Sequence, residues 1–461
     1  MEPLTAHDPP EKTSPSEVTS SASLWRHHDF RQLWMGDTVS VFGVQFVSFA
    51  MPLIAVQLLH ADAFEMGVLS TLESLAFLLI ALPAGAWVDR MRKKHVLISG
   101  DVLRALVLLS IPAAWLFGTL SFVHLCIVAA LVGIITVFFD VANQSYLPEI
   151  VTGDRIAEGN GKLQASQQTA NVIGPSAAAG LVALIGSPLT VGITSVCMGL
   201  SSLFVSRIRH REQAPSPTSR QPLLKEIRAG LAFVFSRSLL VRIVACTGTS
   251  NFSSSAIFAL STLYILRTLD QPQAVLGLVL SISAAGGLLG ALAAPALQRI
   301  VGEGRTISLS ALAGGLTFLN LPLASVLPPV PTLTVGGFLL SASVVVYNIT
   351  QVSFRQRLCP KPLLGRMNAS IRFLVWGPMP IGAFLGGVIA HSIGIVETLW
   401  VFATLGIVAS LPVLLSPLTA MRTLPSALNL LEDGTGDGDG PDGRDRSEDG
   451  ENSDGDEAHR G

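Results

Sequence analysis

The sequence predicts an all-α integral membrane protein of twelve transmembrane helices in two pseudo-symmetric six-helix bundles. Three observations carry that expectation. Of 461 residues, 49% are hydrophobic and only 13% charged, whereas a soluble chain carries about 25% charged residues; mean hydropathy is +0.55. Twelve segments are apolar over the roughly 20 residues that a membrane span needs. One pattern also occurs twice: Gly67-Val68-Leu69, an apolar run and a basic hairpin after Val88, then Gly277-Leu278-Val279, another run and a second hairpin at Arg299 to Arg305. Parallel repeats of matching hydropathy are one way in which membrane proteins with a site between two halves are built.

The twelve spans are expected near 33–59, 65–88, 96–117, 121–142, 166–186, 189–206, 240–266, 274–297, 306–326, 332–353, 368–390 and 395–416. They divide into bundles at 25–206 and 239–421, joined by a linker at 207–238. Glu212 to Pro222 is rich in Pro and Ser, as linkers are. After it, Leu224, Ile227, Leu231 and Phe235 recur at helical spacing among charged residues, which predicts a short amphipathic helix on the membrane surface, tethering the halves. Residues 1–24 lack the apolar stretch of a signal peptide. Residues 422–461 are Gly-rich and acidic, and both ends are expected to be disordered.

Lys and Arg fix the expected orientation. Nearly all of those outside the helices fall on one side, while the other side has Arg267 alone. With an even number of spans, both termini lie on the basic, cytoplasmic side of the cell membrane. Cys126, Cys197, Cys246 and Cys359 stand singly, without metal-ligand or disulfide spacing. There is no phosphate-binding Gly-rich loop and no His pair within the spans, so an ATP-driven pump, an enzyme and a metal centre are not expected.

The loop Gly85-Ala86-Trp87-Val88-Asp89-Arg90-Met91-Arg92-Lys93-Lys94 resembles the loop between helices two and three of the major facilitator superfamily. It departs from that pattern at Arg92, where the family has Gly. Phe30 to Trp34, Phe139 to Pro148 and Asn368 to Gly377 are similar to the secretion-effector branch, with its enterobactin-type siderophore exporters and macrolide efflux pumps. The resemblance spans about 25–420. It implies a secondary active transporter that exports a bulky amphiphile (a drug, siderophore or secondary metabolite) by alternating access and proton antiport. The partners implied are the lipid bilayer, a small-molecule substrate and protons, with no cofactor, no nucleic acid and a monomeric chain. An importer or uncoupled facilitator of the same fold is the alternative; a membrane-embedded sensor or enzyme is more remote.

Within that frame Asp89, Arg90, Lys93 and Asp140 form a candidate conformational latch. The resemblance implies that Asp89 meets the start of helix eleven and that Asp140 pairs with Arg90 or Lys93; a surface ion pair is the bland alternative. Asp101 and Arg104 are three apart on one helix face, as a structural ion pair would be. Glu73 lies alone about 12 Å into helix two from its outer end. It is either a proton-coupling group or a water-facing residue of the outer vestibule. Asp37 is the second proton-coupling candidate, with Arg31 or Arg372 as a possible partner.

Gln45, Gln168, Asn171, Asn251, Asn320, Asn348, Gln351 and Trp376 are candidates to line a mildly polar cavity, each equally suited to bonding helices together. Gly174-Pro175 and Gly377-Pro378 recur at matching places in the two halves. They predict either breaks in moving, cavity-facing helices or tolerated kinks. Many proton-coupled members of the family that this chain resembles carry an Arg in helix four; this chain has none between Phe122 and Asn143, which shifts any proton coupling toward Glu73 and Asp37.

Overall fold

The computed structural model describes residues 24–88, 90–151, 155–210, 212, 223–359 and 364–422. The first bundle holds α1 (His28–Leu53), α2 (Ala63–Val88), α3 (Lys93–Leu116), α4 (Phe122–Ile150), α5 (Arg155–Ile185) and α6 (Ser187–Ser206). The linker contributes α7 (Leu223–Phe235). The second bundle holds α8 (Ser238–Leu263), α9 (Gln273–Val301), α10 (Glu303–Thr317) with α11 (Asn320–Leu323), α12 (Pro329–Leu358), α13 (Leu364–Trp376) with α14 (Pro378–Ile393), and α15 (Ile395–Val408) with α16 (Leu411–Leu414). Twelve helical segments among the described residues are long and apolar enough to cross a membrane.

The two bundles repeat each other in backbone detail. α1 and α8 both end in a π-turn, Ile54–Leu58 and Tyr264–Thr268. Each turn is followed by a left-handed residue, His60 at φ 55° and Asp270 at φ 51°. α2 and α9 then begin at Ala63 and Gln273, and α3 and α10 at Lys93 and Glu303, so the spacing holds through two hairpins. Gly186 at φ 85° and Gly394 at φ 102° make the matching turns before α6 and α15.

The repeated Gly of the sequence has a packing reason. A Cβ on Gly67 would lie 2.7 Å from the Cα of Gly387 and 2.9 Å from the Ala383 carbonyl. A Cβ on Gly277 would lie 2.6 Å from the Cβ of Ala179 and 3.1 Å from the Pro175 carbonyl. Small residues let helices approach closely in lipid, and here they close α2 on α14 and α5 on α9, the two pseudo-equivalent contacts between the bundles.

Among the described residues, that closure gathers at the end that lacks basic loops. Arg267 of the second bundle donates to the carbonyls of Val56 (2.6 Å) and Ala61 (2.8 Å) of the first. Ser176 and Ser281 hydrogen-bond at 2.8 Å, Phe64 meets Phe384 edge-on, and Asp62 lies 3.7 Å from His391. Reciprocal bonds between Asp62 and Glu65 cap α2 there. Among the described residues, the hydrogen bonds, ion pairs and ring contacts between bundles reach no nearer the basic end than the contact of Phe77 with Trp376. Among the described residues, the bundles are joined at one end and make no such contact at the other.

Several boundaries differ from the sequence reading. α5 starts at Arg155, well before the expected 166. Its first half carries Asn160, Gln164, Gln167 and Gln168, and Asn160, Gln164 and Gln167 face an open space between helices, so low hydropathy there marks a cavity wall rather than a loop. The bundles begin at Leu24, which is fully buried, and extend to Arg422, whose carbonyl accepts from the Glu303 amide. The linker is not only a membrane-surface tether. Ile208 is buried against the first bundle, and the Arg209 and His210 amides donate to Asp29. α7 buries Val234 among Met367 and Ile371 of the second bundle while Phe235 stays exposed. Of the ends expected to be disordered, 1–24 and 422–461, all but Leu24 and Arg422 lie outside the described residues.

Candidate functional site

A cavity of about 580 Å3 lies between the two bundles. α2 and α4 supply Phe77, Val137, Asp140 and Gln144; α12 and α13 supply Arg355, Asn368, Arg372 and Trp376. A second space of about 640 Å3 adjoins it between α1, α4 and α5, shares Asp140 and Gln144, and adds Asp37 and Asn143. A third, of about 250 Å3, lies between the first bundle and α8 and is mostly apolar, with Glu73, Arg104, Phe77 and Met198 in its wall beside Phe258 and Thr262. Phe77 borders both the central and the third spaces.

Glu73 lies ten residues from the closed end of α2, and its carboxyl makes no hydrogen bond or ion pair with a described residue. The sequence shows no cation within a turn of it, yet the fold brings Arg104 of α3 to the same pocket. Arg104 is engaged elsewhere: its Nη2 donates to Asp101 at 2.5 Å, and its Cζ lies 3.9 Å from the centre of the Phe139 ring. Asp101 and Arg104 are both buried. Breaking a buried ion pair from one side leaves an uncompensated charge, at about 3–5 kcal/mol. Arg104→Ala is therefore expected to lower the thermal unfolding temperature in detergent far more than the double replacement of Asp101 and Arg104 by Leu and Met.

Of the latch residues, Arg90, Lys93 and Asp140 are described and do not pair with one another. Asp89 lies outside the described residues. Lys93 pairs with Glu149 and donates to the Ser145 carbonyl at 3.2 Å, and Arg90 is exposed. The expected pairing of Asp140 with Arg90 or Lys93 is corrected. Asp140 stands nine residues up α4 from Glu149, about 14 Å at 1.5 Å per residue, too deep for the basic loop to reach. It faces the cavity instead. Asp37 meets neither Arg31 nor Arg372; it accepts from Asn143 Nδ2 at 2.8 Å.

The uncharged candidates separate into two kinds. Trp376 lines the central cavity and stands edge-on to Phe77 at 5.7 Å. Gln45 Nε2 donates to Asn171 at 2.6 Å, Gln167 donates to the same oxygen at 3.0 Å, and Asn171 reaches Gln168 at 3.5 Å. This set bonds α1 to α5. Asn251 donates to the Val375 carbonyl at 2.8 Å, beside the break in the eleventh span. Asn348 is exposed on α12 and accepts from buried Gln351 at 3.4 Å. Asn320 is corrected: it is buried at the start of α11, tight against Gly336 of α12, because the ninth span bends there.

The two Gly-Pro pairs also differ. Gly377 separates α13 from α14 and lines the cavity. α5 runs unbroken through Gly174-Pro175, where Gly174 accommodates the Gln45 side chain and Pro175 meets Gly277. Only the pair in the second half interrupts its helix, which corrects the expectation of matching breaks.

Arg355, Arg372, Gln144, Gln167 and Asn368 were not singled out as cavity residues. Arg355 reads as one more basic residue at a helix end. Arg372 has a signal that sequence reasoning could have used: it precedes Trp376 by four residues, so both share a helix face.

Two parallel bundles around a central cavity, shut at one end, meet a matching sequence model for the Major Facilitator Superfamily over residues 33–378. The chain belongs to that superfamily. It is a multi-pass membrane protein and a secondary transporter. The multidrug efflux pump Tap of Mycobacterium tuberculosis is 28% identical over 401 residues, covering 84% of this chain and 91% of Tap. The pump of the same name from Mycolicibacterium fortuitum is 25% identical over 378 residues, covering 78% and 88%. Among solved structures, a bacterial homologue of the iron transporter ferroportin in an inward-facing state superposes with a TM-score of 0.70 at 16% identity, covering 86% of this chain and all of that one. A point mutant of the nucleoside transporter NupG gives 0.68 at 15%, covering 84% and 99%. At those identities the structures speak for the fold alone.

Proposed function

We propose that this superfamily member exports a bulky amphiphilic small molecule across the cell membrane by alternating access, driven by proton antiport. The observation that carries the reading is the cavity between the bundles. Among the described residues it is closed by Gly67, Gly277 and Arg267 at the end poor in cations, and no polar or ring contact joins the bundles nearer the basic end than Phe77 and Trp376. Basic loops favour the cytoplasmic side, so this conformation is the inward-facing one, with both termini in the cytoplasm. The cavity mixes aromatic and apolar surface with a few polar groups, as sites for bulky organic ligands do. Relatives named multidrug efflux pumps support export. Glu73 is the proton carrier in this reading and Asp37 the secondary one; no cofactor or second subunit takes part.

Everted membrane vesicles test direction and drive together. An exported fluorescent amphiphile is expected to accumulate inside everted vesicles when respiration acidifies the lumen, and a protonophore is expected to abolish that accumulation. Accumulation in right-side-out vesicles instead would make the protein an importer. Transport that persists unchanged with the protonophore would remove the antiport.

A further inference from the structure

The walls of the central cavity carry opposite charge. The second bundle presents two guanidinium groups, Arg355 from α12 and Arg372 from α13, and the first presents one carboxylate, Asp140 from α4. None of the three belongs to an ion pair with a described residue. Arg355 Nε is buried without a hydrogen-bond partner. The Arg372 guanidinium rests on the Trp376 ring, its Cζ 4.9 Å from the centre. Trp376 in turn faces Phe77 across the gap between the bundles.

This arrangement selects among ligands. Guanidinium groups bind carboxylates through two parallel hydrogen bonds, and a half-desolvated cation without a partner favours any ligand that supplies one. A purely cationic amphiphile would set its charge against two guanidinium groups. A purely anionic one would meet Asp140 on the facing wall. A ligand carrying both charges satisfies both walls, and a flat ring between them packs against Trp376 and Phe77.

We propose that the cavity binds an aromatic zwitterion. Its carboxylate lies on Arg355 and Arg372, its ammonium group on Asp140, and its ring against the pair of Phe77 and Trp376. The inference deepens the exporter reading by naming the substrate class, and it rests on that reading only for what happens after binding.

Binding to the full chain in nanodiscs of phosphatidylglycerol, which has no zwitterionic headgroup, tests it. The probes are a fluorescent quinolone with a ring carboxylate and a protonated piperazine, its ethyl ester (cation only) and its N-acetyl derivative (anion only). The zwitterion is expected to bind about tenfold tighter than either, the factor that about 1.4 kcal/mol gives. Arg355→Gln and Arg372→Gln are expected to weaken the zwitterion and the N-acetyl compound but not the ester. Asp140→Asn is expected to weaken the zwitterion and the ester but not the N-acetyl compound.

An ester that binds wild type as tightly as the zwitterion overturns the proposal, as does the absence of zwitterion binding. So does a uniform loss across all three probes in every variant, because a general structural role would produce it. The wild-type comparison decides even where a variant fails to fold. Proton-driven export of all three probes without charge preference would overturn the zwitterion and leave the exporter standing. Selective binding with no uphill transport would do the reverse.

Discussion

Replacing Glu73 by Gln is expected to abolish gradient-driven efflux while leaving substrate binding and gradient-independent exchange in place. The carboxyl sits at membrane depth in a small, largely apolar pocket, without a hydrogen-bond or ion-pair partner among the described residues. Ionisable groups in such positions are costly and are retained for function. The proton contributes to transport only if Glu73 holds it with different affinity in the two facing states, at about 1.4 kcal/mol per tenfold difference. α2 gives Glu73 the means for that difference, since α2 packs on α14 of the other bundle and must change neighbours when the bundles rock. Gln keeps the shape of the side chain and cannot carry the proton. Asp37→Asn is the comparison, expected to impair efflux less, because Asp37 already shares its carboxylate with Asn143. Proteoliposomes with an imposed pH gradient decide it: uphill efflux by Glu73→Gln at the wild-type rate would place coupling elsewhere, with Asp37 as the next candidate.

A comparably large loss is expected from Gly67→Val, for a mechanical reason. The added Cβ would meet backbone atoms of α14, 2.7 Å from the Cα of Gly387, and backbone cannot move aside as a side chain can. Overpacking costs about 1–3 kcal/mol even where side chains yield. Conformational states separated by a few kcal/mol change population on that scale. The variant is expected to lose most of the conformation closed at this end and most of its transport. Arg267→Ala should act in the same direction with a smaller effect, since each hydrogen bond it loses contributes about 1 kcal/mol. Spin labels at Gln57 and Thr268, exposed on opposite bundles, would report the change as a longer distance in Gly67→Val and a partial shift in Arg267→Ala. An unchanged distance in Gly67→Val would show that the close approach of α2 and α14 does not control the gate.

What the sequence by itself determined is whatever follows from covalent order and from lipid as a solvent. Spans must be apolar over their length, so twelve of them could be counted. A duplicated chain keeps its punctuation, so the repeat of Gly67 and Gly277 was visible before its purpose was. Asp101 and Arg104 share a face because a helix puts them there, and their contact needed nothing from the rest of the fold.

Tertiary structure decided everything that depends on which helix lies opposite which. Lys93 could be seen to want a carboxylate, but only packing determined that Glu149 lies level with it and that Asp140 lies too deep. Gln45 and Asn171 read as cavity residues until the fold joined them 126 positions apart in sequence. The polar first half of α5 looked too hydrophilic for a span because hydropathy assumes lipid on every side, whereas this helix turns one face to a cavity. The opposite charges of Asp140 and Arg372 come from different bundles, more than 200 residues apart. Charges distant in sequence become facing walls only when both bundles have folded and docked, which is why the character of the cavity could not be read from either half.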